Sequence, residues 1–226
     1  MDNIVIGIEG TVGSGKTSIC RSLLDKIDNS IIIHGGNIYR AIVYGMLKNE
    51  IKQTSGLDAF QLMKELNIEI KLENKETVMY MNGEKLDEND LQNEKSSMAV
   101  SKVSNIADNE KLYKFGQSLI NKFREKYNII LSSRDIVKMY PEVTYHFFIT
   151  ASLEERINRK YIQYNKEIPK EKIKEMIEKR DELQEQSGYY NIYPQTKIID
   201  VTECKNAEES AKKIMKNIKE LVTNGI

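Results

Sequence analysis

Eight consecutive residues carry the clearest chemistry in this chain. Gly10-Thr11-Val12-Gly13-Ser14-Gly15-Lys16-Thr17 satisfies the phosphate-binding pattern G-x-x-x-x-G-K-[ST] at every fixed position. The glycines let main-chain N–H groups approach an oxyanion with no Cβ in the way. A helix starting at this point adds unpaired N–H groups and the positive end of its dipole, so Ser14, Gly15 and Ser18 join Gly10 and Gly13 as phosphate-facing positions. Lys16 is placed to reach the terminal phosphates, and the Thr17 hydroxyl to ligate Mg²⁺. ATP and Mg²⁺ are the cofactors this pattern implies. The plainer alternative is a glycine-rich turn with a lysine nearby.

The flanks decide between the two. Ile4-Val5-Ile6-Gly7-Ile8 is a β-branched run of the kind that forms a buried strand. Residues 18–26 carry Ile19, Leu23 and Leu24 at helical spacing, with no Gly or Pro. Strand, loop and helix are the context the pattern needs. Ser30-Ile31-Ile32-Ile33-His34 reads as a second buried strand, broken by Gly35-Gly36, and a helix over 38–47 carries Tyr39 and Arg40. Strand-helix-strand-helix within so short a stretch marks an α/β fold with a parallel sheet. Ligands of such sheets sit at the carboxyl ends of the strands, so the His34-Gly35-Gly36 corner should share a cleft with the phosphate loop.

The pattern then changes. After a helix over 59–66, residues 68–72 alternate apolar and polar, 77–81 return, and Asn82-Gly83 supplies a tight turn. An antiparallel meander inside an α/β chain suggests a separate small lobe. Helices are expected over 96–107 and 110–126, and strands over 128–131 and 144–149. Arg134-Asp135 follows the first of these strands at the ligand edge of the sheet. Ser152 and Glu155 form a capping box for a helix bearing Arg156, Arg159 and Lys160. A loop with Pro169, a charged helix from 170 to about 186, a strand over 196–201 and a helix over 207–221 complete the chain.

Composition narrows the partners. Lys+Arg 34 balance Asp+Glu 34 in 226 residues, which gives little support to non-specific nucleic-acid binding. No run of about 18 apolar residues suggests a membrane span, and the N-terminus lacks a signal-peptide layout. Cys20 and Cys204 are far apart without metal-ligand spacing and read as reduced thiols. A cytoplasmic monomer acting on small nucleotides, with no nucleic-acid or membrane partner, is the expectation. GTPase base-reading and switch motifs are missing, since Asn121-Lys122-Phe123-Arg124 lacks the final Asp of N-K-x-D.

The chain resembles bacterial cytidylate kinase, of the nucleoside monophosphate kinase group. Ile8-Glu9-Gly10 through Thr17 is similar to that family's I-D-G-x-x-x-x-G-K, with Glu9 for Asp. Gly36-Asn37-Ile38-Tyr39-Arg40 resembles its G-x-x-Y-R, and Tyr80-Met81-Asn82-Gly83-Glu84 through Leu91 its hairpin. Ala99-Val100-Ser101 is similar to A-x-S, and Arg134-Asp135 to the end of D-G-R-D. Ser152 through Lys160 resembles its lid segment, and Arg180-Asp181 its R-D. The resemblance implies a P-loop NTPase-type α/β fold: a parallel sheet flanked by helices, with a small inserted antiparallel lobe and a helical lid. Residues 1–50 and 108–226 would form the kinase core, with the lid at about 157–187 and the monophosphate-binding lobe at 51–107. It further implies that Arg40 and Arg134 pair with the acceptor phosphate, and that Ser101 and Asp135 face the base. His34, Gly36 and Tyr39 would complete the acceptor site, Arg156 would hold ATP, and Arg159 and Arg180 would close over the transferring phosphoryl group.

Four departures bear on that scheme. His34-Gly35 replaces an Asp-Ser pair, Ser132 replaces the Asp of D-G-R-D, Gln117-Ser118 replaces Gln-Arg, and Glu182 to Ser187 contains no arginine. CMP or dCMP phosphorylation is the leading expectation. A P-loop kinase with a different small acceptor, and a nucleotide-binding protein with little turnover, stand as alternatives.

Overall fold

The computed structural model describes residues 3–51, 58–92, 100 and 110–223. Its centre is the sheet that the β-branched runs build. β1 (Val5–Gly10) is buried along its whole length and pairs in parallel with β6 (Asn128–Ser132) and β7 (Tyr145–Thr150). β2 (Ser30–His34) lies parallel to β6, and β8 (Thr196–Asp200) parallel to β7. With β3 (Ile68–Glu73) and β4 (Glu76–Met81) included, the strand order among the described residues is β3-β4-β2-β6-β1-β7-β8.

Alternate residues of the buried strands feed opposite layers, as the pleat requires. Ile6, Ile8, Ile32 and Ile130 pack with Ile19 and Leu23 of α1 (Lys16–Leu24) and Ile214 and Ile218 of α9 (Ala207–Thr223). Val5, Ile31, Ile33, Ile129 and Leu131 face the other way, onto Ile120 of α5 (Glu110–Arg124) and Met139 of α6 (Ile136–Met139). Helices therefore cover both faces, as the alternating strand-helix pattern implies. α6 is a single turn that no periodicity announces.

The antiparallel strands are β3 (Ile68–Glu73) and β4 (Glu76–Met81), with the short β5 (Glu84–Lys85) beyond. They join the main sheet through β4 beside β2, where Ile32 N–H donates to Lys75 O at 2.8 Å. Met79 and Met81 pack against Ile42 and Met46 of α2 (Gly35–Lys48) and Leu62 of α3 (Ala59–Glu65). Asp58 caps α3, its carboxylate accepting from the amides of Phe60 and Gln61. α4 (Glu88–Gln92) follows β5. The helix expected over 96–107 lies outside the described residues.

Gly35-Gly36 differs from its expected role as a break before a helix at residue 38. α2 starts at Gly35 itself, directly after the strand. The first turn of a helix needs no backward N–H bonds, so two glycines there cost little.

α7 (Leu153–Gln163) and α8 (Lys170–Gln186) form the segment expected as a lid. Ser152 caps α7, accepting from Glu155 N–H at 3.3 Å. The returning half of the capping box does not form, because the Glu155 carboxylate turns to Arg159 Nε at 2.8 Å. Ile173 and Ile177 of α8 pack on Val12 at the tip of the phosphate loop. No helix among the described residues is long and apolar enough to cross a membrane. Cys20 and Cys204 are both unpaired, and burial pushes the Cys20 thiol up to about 12.

Candidate active site

The phosphate loop is fixed by its neighbours. A Cβ on Gly10 would run into the backbone of Ile149, and Thr11 N–H donates to Ile149 O at 3.1 Å, so glycine lets β1 turn away tight against β7. Ser14 is fully buried and its hydroxyl donates to Thr11 O at 2.9 Å. The first intrahelical bond of α1 runs from Ile19 N–H to Gly15 O, leaving the amides of Lys16, Thr17 and Ser18 ahead of it. Lys16 Nζ folds back over the loop and donates to Gly10 O and Thr11 O, each at 2.8 Å.

Side chains of α7 and α8 latch onto this loop. Asp181 Oδ1 accepts from Val12 N–H at 3.1 Å and from the Tyr190 hydroxyl, while Oδ2 pairs with Arg156 Nη1. Arg156 also donates to Val12 O at 3.1 Å. Arg159 clamps backbone on two sides, donating to Ser14 O (3.0 Å) and Val201 O (2.8 Å).

Two cavities open at the carboxyl ends of the strands. The donor-side cavity is walled by the loop from Val12 to Ser18, by Arg159 and Lys160 of α7, and by the turn at Cys204 and Lys205. The second is walled by Gly35, Gly36 and Tyr39 of α2, Leu112 and Gly116 of α5, Ser133, and Gln184 and Tyr189. Arg40, Arg134 and Arg180 belong to both walls. Three guanidinium groups from residues far apart in the chain thus stand where the two cavities meet.

Two of these guanidinium groups carry a donor with no partner among the described residues. Arg134 Nη1 and Arg180 Nε are buried without a hydrogen-bond partner among the described residues. Arg40 Nη1 donates to Leu91 O at 2.7 Å. Burial, then Arg134 and Arg180, pulls the Lys16 ammonium well below its usual range. Burial and the same two neighbours lower Arg40 to about 9, and burial with Arg134 lowers Arg180 to about 10. Lys160 falls to about 8 through burial, Arg180 and Arg40. Guanidinium groups in proteins keep their proton, so the repulsion among them is relieved by a bound anion instead. This arrangement suits phosphate groups arriving from both sides.

Gly13, Ser14, Gly15, Lys16, Thr17, Ser18 and Arg159 line the donor side, while Gly36, Tyr39, Arg40 and Arg134 line the second cavity. Three expected site residues turn elsewhere. His34 Nε2 pairs with Glu76 Oε2 at 2.8 Å in the cleft beside β4, away from both cavities. Asp135 is buried, with Tyr113 OH at 3.2 Å, Tyr193 OH at 3.4 Å and Lys138 Nζ at 3.6 Å. Arg156 is engaged with Asp181 and Val12. Ser101 lies outside the described residues. Sequence reasoning missed Ser133, Gln184, Tyr189 and the inward turn of Lys160. Only Gln184 had a signal, its i+4 spacing from Arg180 on one helix face. Its Oε1 is buried without a partner among the described residues.

For a metal, the fit is partial. Among the described residues no group of three His, Cys, Asp or Glu could hold one. Glu9 is committed to Ile136 N–H and lies 3.3 Å from His146 Nε2. A magnesium ion would therefore arrive with polyphosphate oxygens and water, with the Thr17 hydroxyl among the oxygen groups of the donor cavity able to meet it.

A glycine-rich strand-to-helix loop, a mostly parallel sheet covered on both faces and an arginine junction between two cavities make up the fold and the site. Residues 6–222 match the family described as Cytidylate kinase. The chain belongs to that family. It is 29% identical over 226 residues to the cytidylate kinase of Clostridioides difficile strain 630, covering 96% of this chain and 99% of that one. It is 28% identical over the full length of both chains to the cytidylate kinase of Caldicellulosiruptor bescii. A third relative, the cytidylate kinase of Clostridium botulinum strain Langeland, is 33% identical over 161 residues, covering 71% of this chain and 70% of that one.

Proposed function

We propose that this chain transfers the γ-phosphoryl group of ATP to a nucleoside monophosphate, with CMP and dCMP the first acceptors. The observation that carries the reading is the sharing of Arg40, Arg134 and Arg180 between the phosphate-loop cavity and its neighbour. A phosphate oxygen of the acceptor attacks the γ-phosphorus, the bond to the β–γ bridging oxygen breaks, and ADP leaves. Negative charge converges on one point in that step, and fixed guanidinium groups there stabilise it without reorganising. Lys16 exchanges its two carbonyl acceptors on Gly10 and Thr11 for the terminal phosphates. Mg²⁺, held at Thr17 through the nucleotide, would add Lewis-acid stabilisation. Arg180 reaches the junction from α8, so the lid brings a reacting-centre cation and excludes water together. Residues 51–107 serve as the monophosphate-binding lobe, and its described residues Leu62, Met79, Met81 and Leu91 pack on α2, which carries Arg40.

Coupled ADP release across a panel of nucleoside monophosphates tests the proposal. Acceptor-dependent ADP well above a Lys16→Ala background is expected. Equal rates with and without every monophosphate would overturn it.

One observation favours a second reading. Among the described residues the acceptor cavity has no carboxylate in its wall, and Asp135 is held by two tyrosines and Lys138. A carboxylate is the natural acceptor for the exocyclic amine of cytosine, so this wall suits an acceptor other than a cytidine nucleotide. ADP release driven by a small alcohol or phosphate, with none from any monophosphate, would select that reading.

A further inference from the structure

Residue 35 stands in the wall of the acceptor cavity, and its being glycine is a matter of space. β2 and β6 run parallel with His34 opposite Ser132, so Gly35 and Ser133 leave the sheet side by side as the next pair. A Cβ on Gly35 would lie 2.5 Å from Ser133 Oγ and 2.9 Å from Ser133 Cβ, closer than Cβ atoms come. Gly36, one residue on, would meet nothing within 4 Å. The crowding is confined to residue 35, and its source is one side chain.

That side chain has an unused hydroxyl. Ser133 lines the acceptor cavity and makes no hydrogen bond among the described residues. A hydroxyl donates once and accepts twice. Most of the wall around it is apolar, with Leu112, Gly116, Ile120, Leu131 and Met139, and in such cavities the few polar groups set orientation and specificity. The resembling pattern places serine at the position of Gly35 and glycine at the position of Ser133. This chain has the reverse.

We propose that Ser133 is the acceptor-reading residue of this chain. Its hydroxyl, delivered from the end of β6, makes the hydrogen bond to the bound nucleoside monophosphate that residue 35 has no side chain to make. Gly35 is the vacancy that lets it in. The inference rests on the kinase reading of the site and adds which strand reads the acceptor.

The experiment measures CMP, dCMP, UMP and AMP binding by calorimetry, and their KM and kcat, for wild type, Ser133→Ala, Gly35→Ser and the exchanged pair Gly35→Ser/Ser133→Gly. Loss of one neutral hydrogen bond predicts a roughly 3- to 10-fold weaker best acceptor for Ser133→Ala, with the KM for ATP unchanged. Gly35→Ser alone should be weaker still through crowding, and the exchanged pair should return to within about twofold of wild type. Unchanged acceptor binding and KM in Ser133→Ala would overturn the inference, as would an exchanged pair no better than Gly35→Ser. Should Gly35→Ser fail to fold, Ser133→Ala decides alone. If wild type binds monophosphates but Ser133→Ala binds them equally, only this inference falls. If wild type neither binds nor phosphorylates any monophosphate, the kinase reading falls with it.

Discussion

The two cavities are built in opposite ways. The donor side is built on one uninterrupted stretch from Val12 to Ser18, which supplies amides, a lysine and three hydroxyls within seven residues. The acceptor side is assembled from side chains on α2, α5, the end of β6 and α8, and each contributes only one or a few groups. A backbone cradle is fixed by glycines and by the hydrogen bonds of a strand-to-helix turn, so it tolerates change around it. A side-chain cavity can be re-specified one residue at a time. The departures from the family pattern fall accordingly: every fixed position of the loop is kept, while residues 34, 35, 117–118, 132 and 182–187, all outside it, differ.

The sharpest way to break this comparison is at the lysine. Lys16→Ala removes the one cation the donor loop supplies and should lower kcat by about 10² to 10³, the scale of losing one preorganised charge contact in the transition state. A single-turnover assay with saturating ATP checks it. A loss under about tenfold would mean that the arginine junction, and not the loop, carries the donor phosphates.

Arg180→Met separates function from stability. The guanidinium is buried beside Arg134 with Nε unpartnered, so its removal should lower turnover by about 10². The ligand-free protein should become more stable, because an uncompensated buried charge is replaced by an apolar chain of similar reach. A gain of about 1 kcal/mol would raise the thermal midpoint by about 2–4 °C for a chain of this length. Saturating ATP should reverse the order, since the bound anion supplies the arginine's missing partner. A variant less stable than wild type with and without ATP would mean that Arg180 is a packing element.

The same contrast decides what was legible beforehand. Contiguous spacing marked the glycine-rich loop, and period-2 and period-3.6 patterns found seven of the eight strands among the described residues nearly in place and most of the described helices, α4 and α6 excepted. The strand-end rule pointed to Arg134, and Arg40 was drawn from the Gly-Gly corner beside it; both line the cavities. The same rule pointed to His34 and Asp135, which are held by Glu76 and by Tyr113 and Tyr193, groups from far along the chain that no local pattern displays. Arg156 was read as a nucleotide ligand for the same reason: nothing local showed that Asp181 would reach it. Ser133 and Gly35 form a pair only across two strands, and a sequence read along one line does not display such pairs.

Lys160 tests the electrostatics of the donor side more finely. Burial with Arg180 and Arg40 holds its ammonium at about 8 in the free protein, against an ordinary value of 10.5. A bound triphosphate offsets those neighbours and raises it, so binding above about pH 8 must take up a proton. ATP affinity should fall by up to about tenfold between about pH 7 and about pH 9, with proton uptake visible as a buffer-dependent binding enthalpy. The ligand-free protein should show the opposite trend. Its folded-state pKa lies below the unfolded value, so stability rises with pH between about 8 and 10.5. Lys160→Arg should flatten both profiles, because a guanidinium does not titrate in that range.

The smallest effect belongs to the cleft beside β4, which holds His34 and Glu76. Glu76 accepts from His34 Nε2 at 2.8 Å and from Arg21 Nε at 2.9 Å, and these two, His34 first, draw its carboxyl down to about 2 from 4.5. A carboxyl lowered in the folded state contributes stability above its unfolded value and loses it as pH falls through the folded one, so the window runs from about 4.5 down to about 2. Glu76→Gln should lower the thermal midpoint at neutral pH by a few degrees and lose less than wild type on acidification across that window. Turnover at neutral pH should stay within about twofold, because neither His34 nor Glu76 lines either cavity and Arg21 keeps Glu88 at 3.1 Å. A large loss of turnover would place His34 back among the acceptor contacts through β2, and the division between a kept donor cradle and a re-specified acceptor wall would have to be redrawn one strand further out.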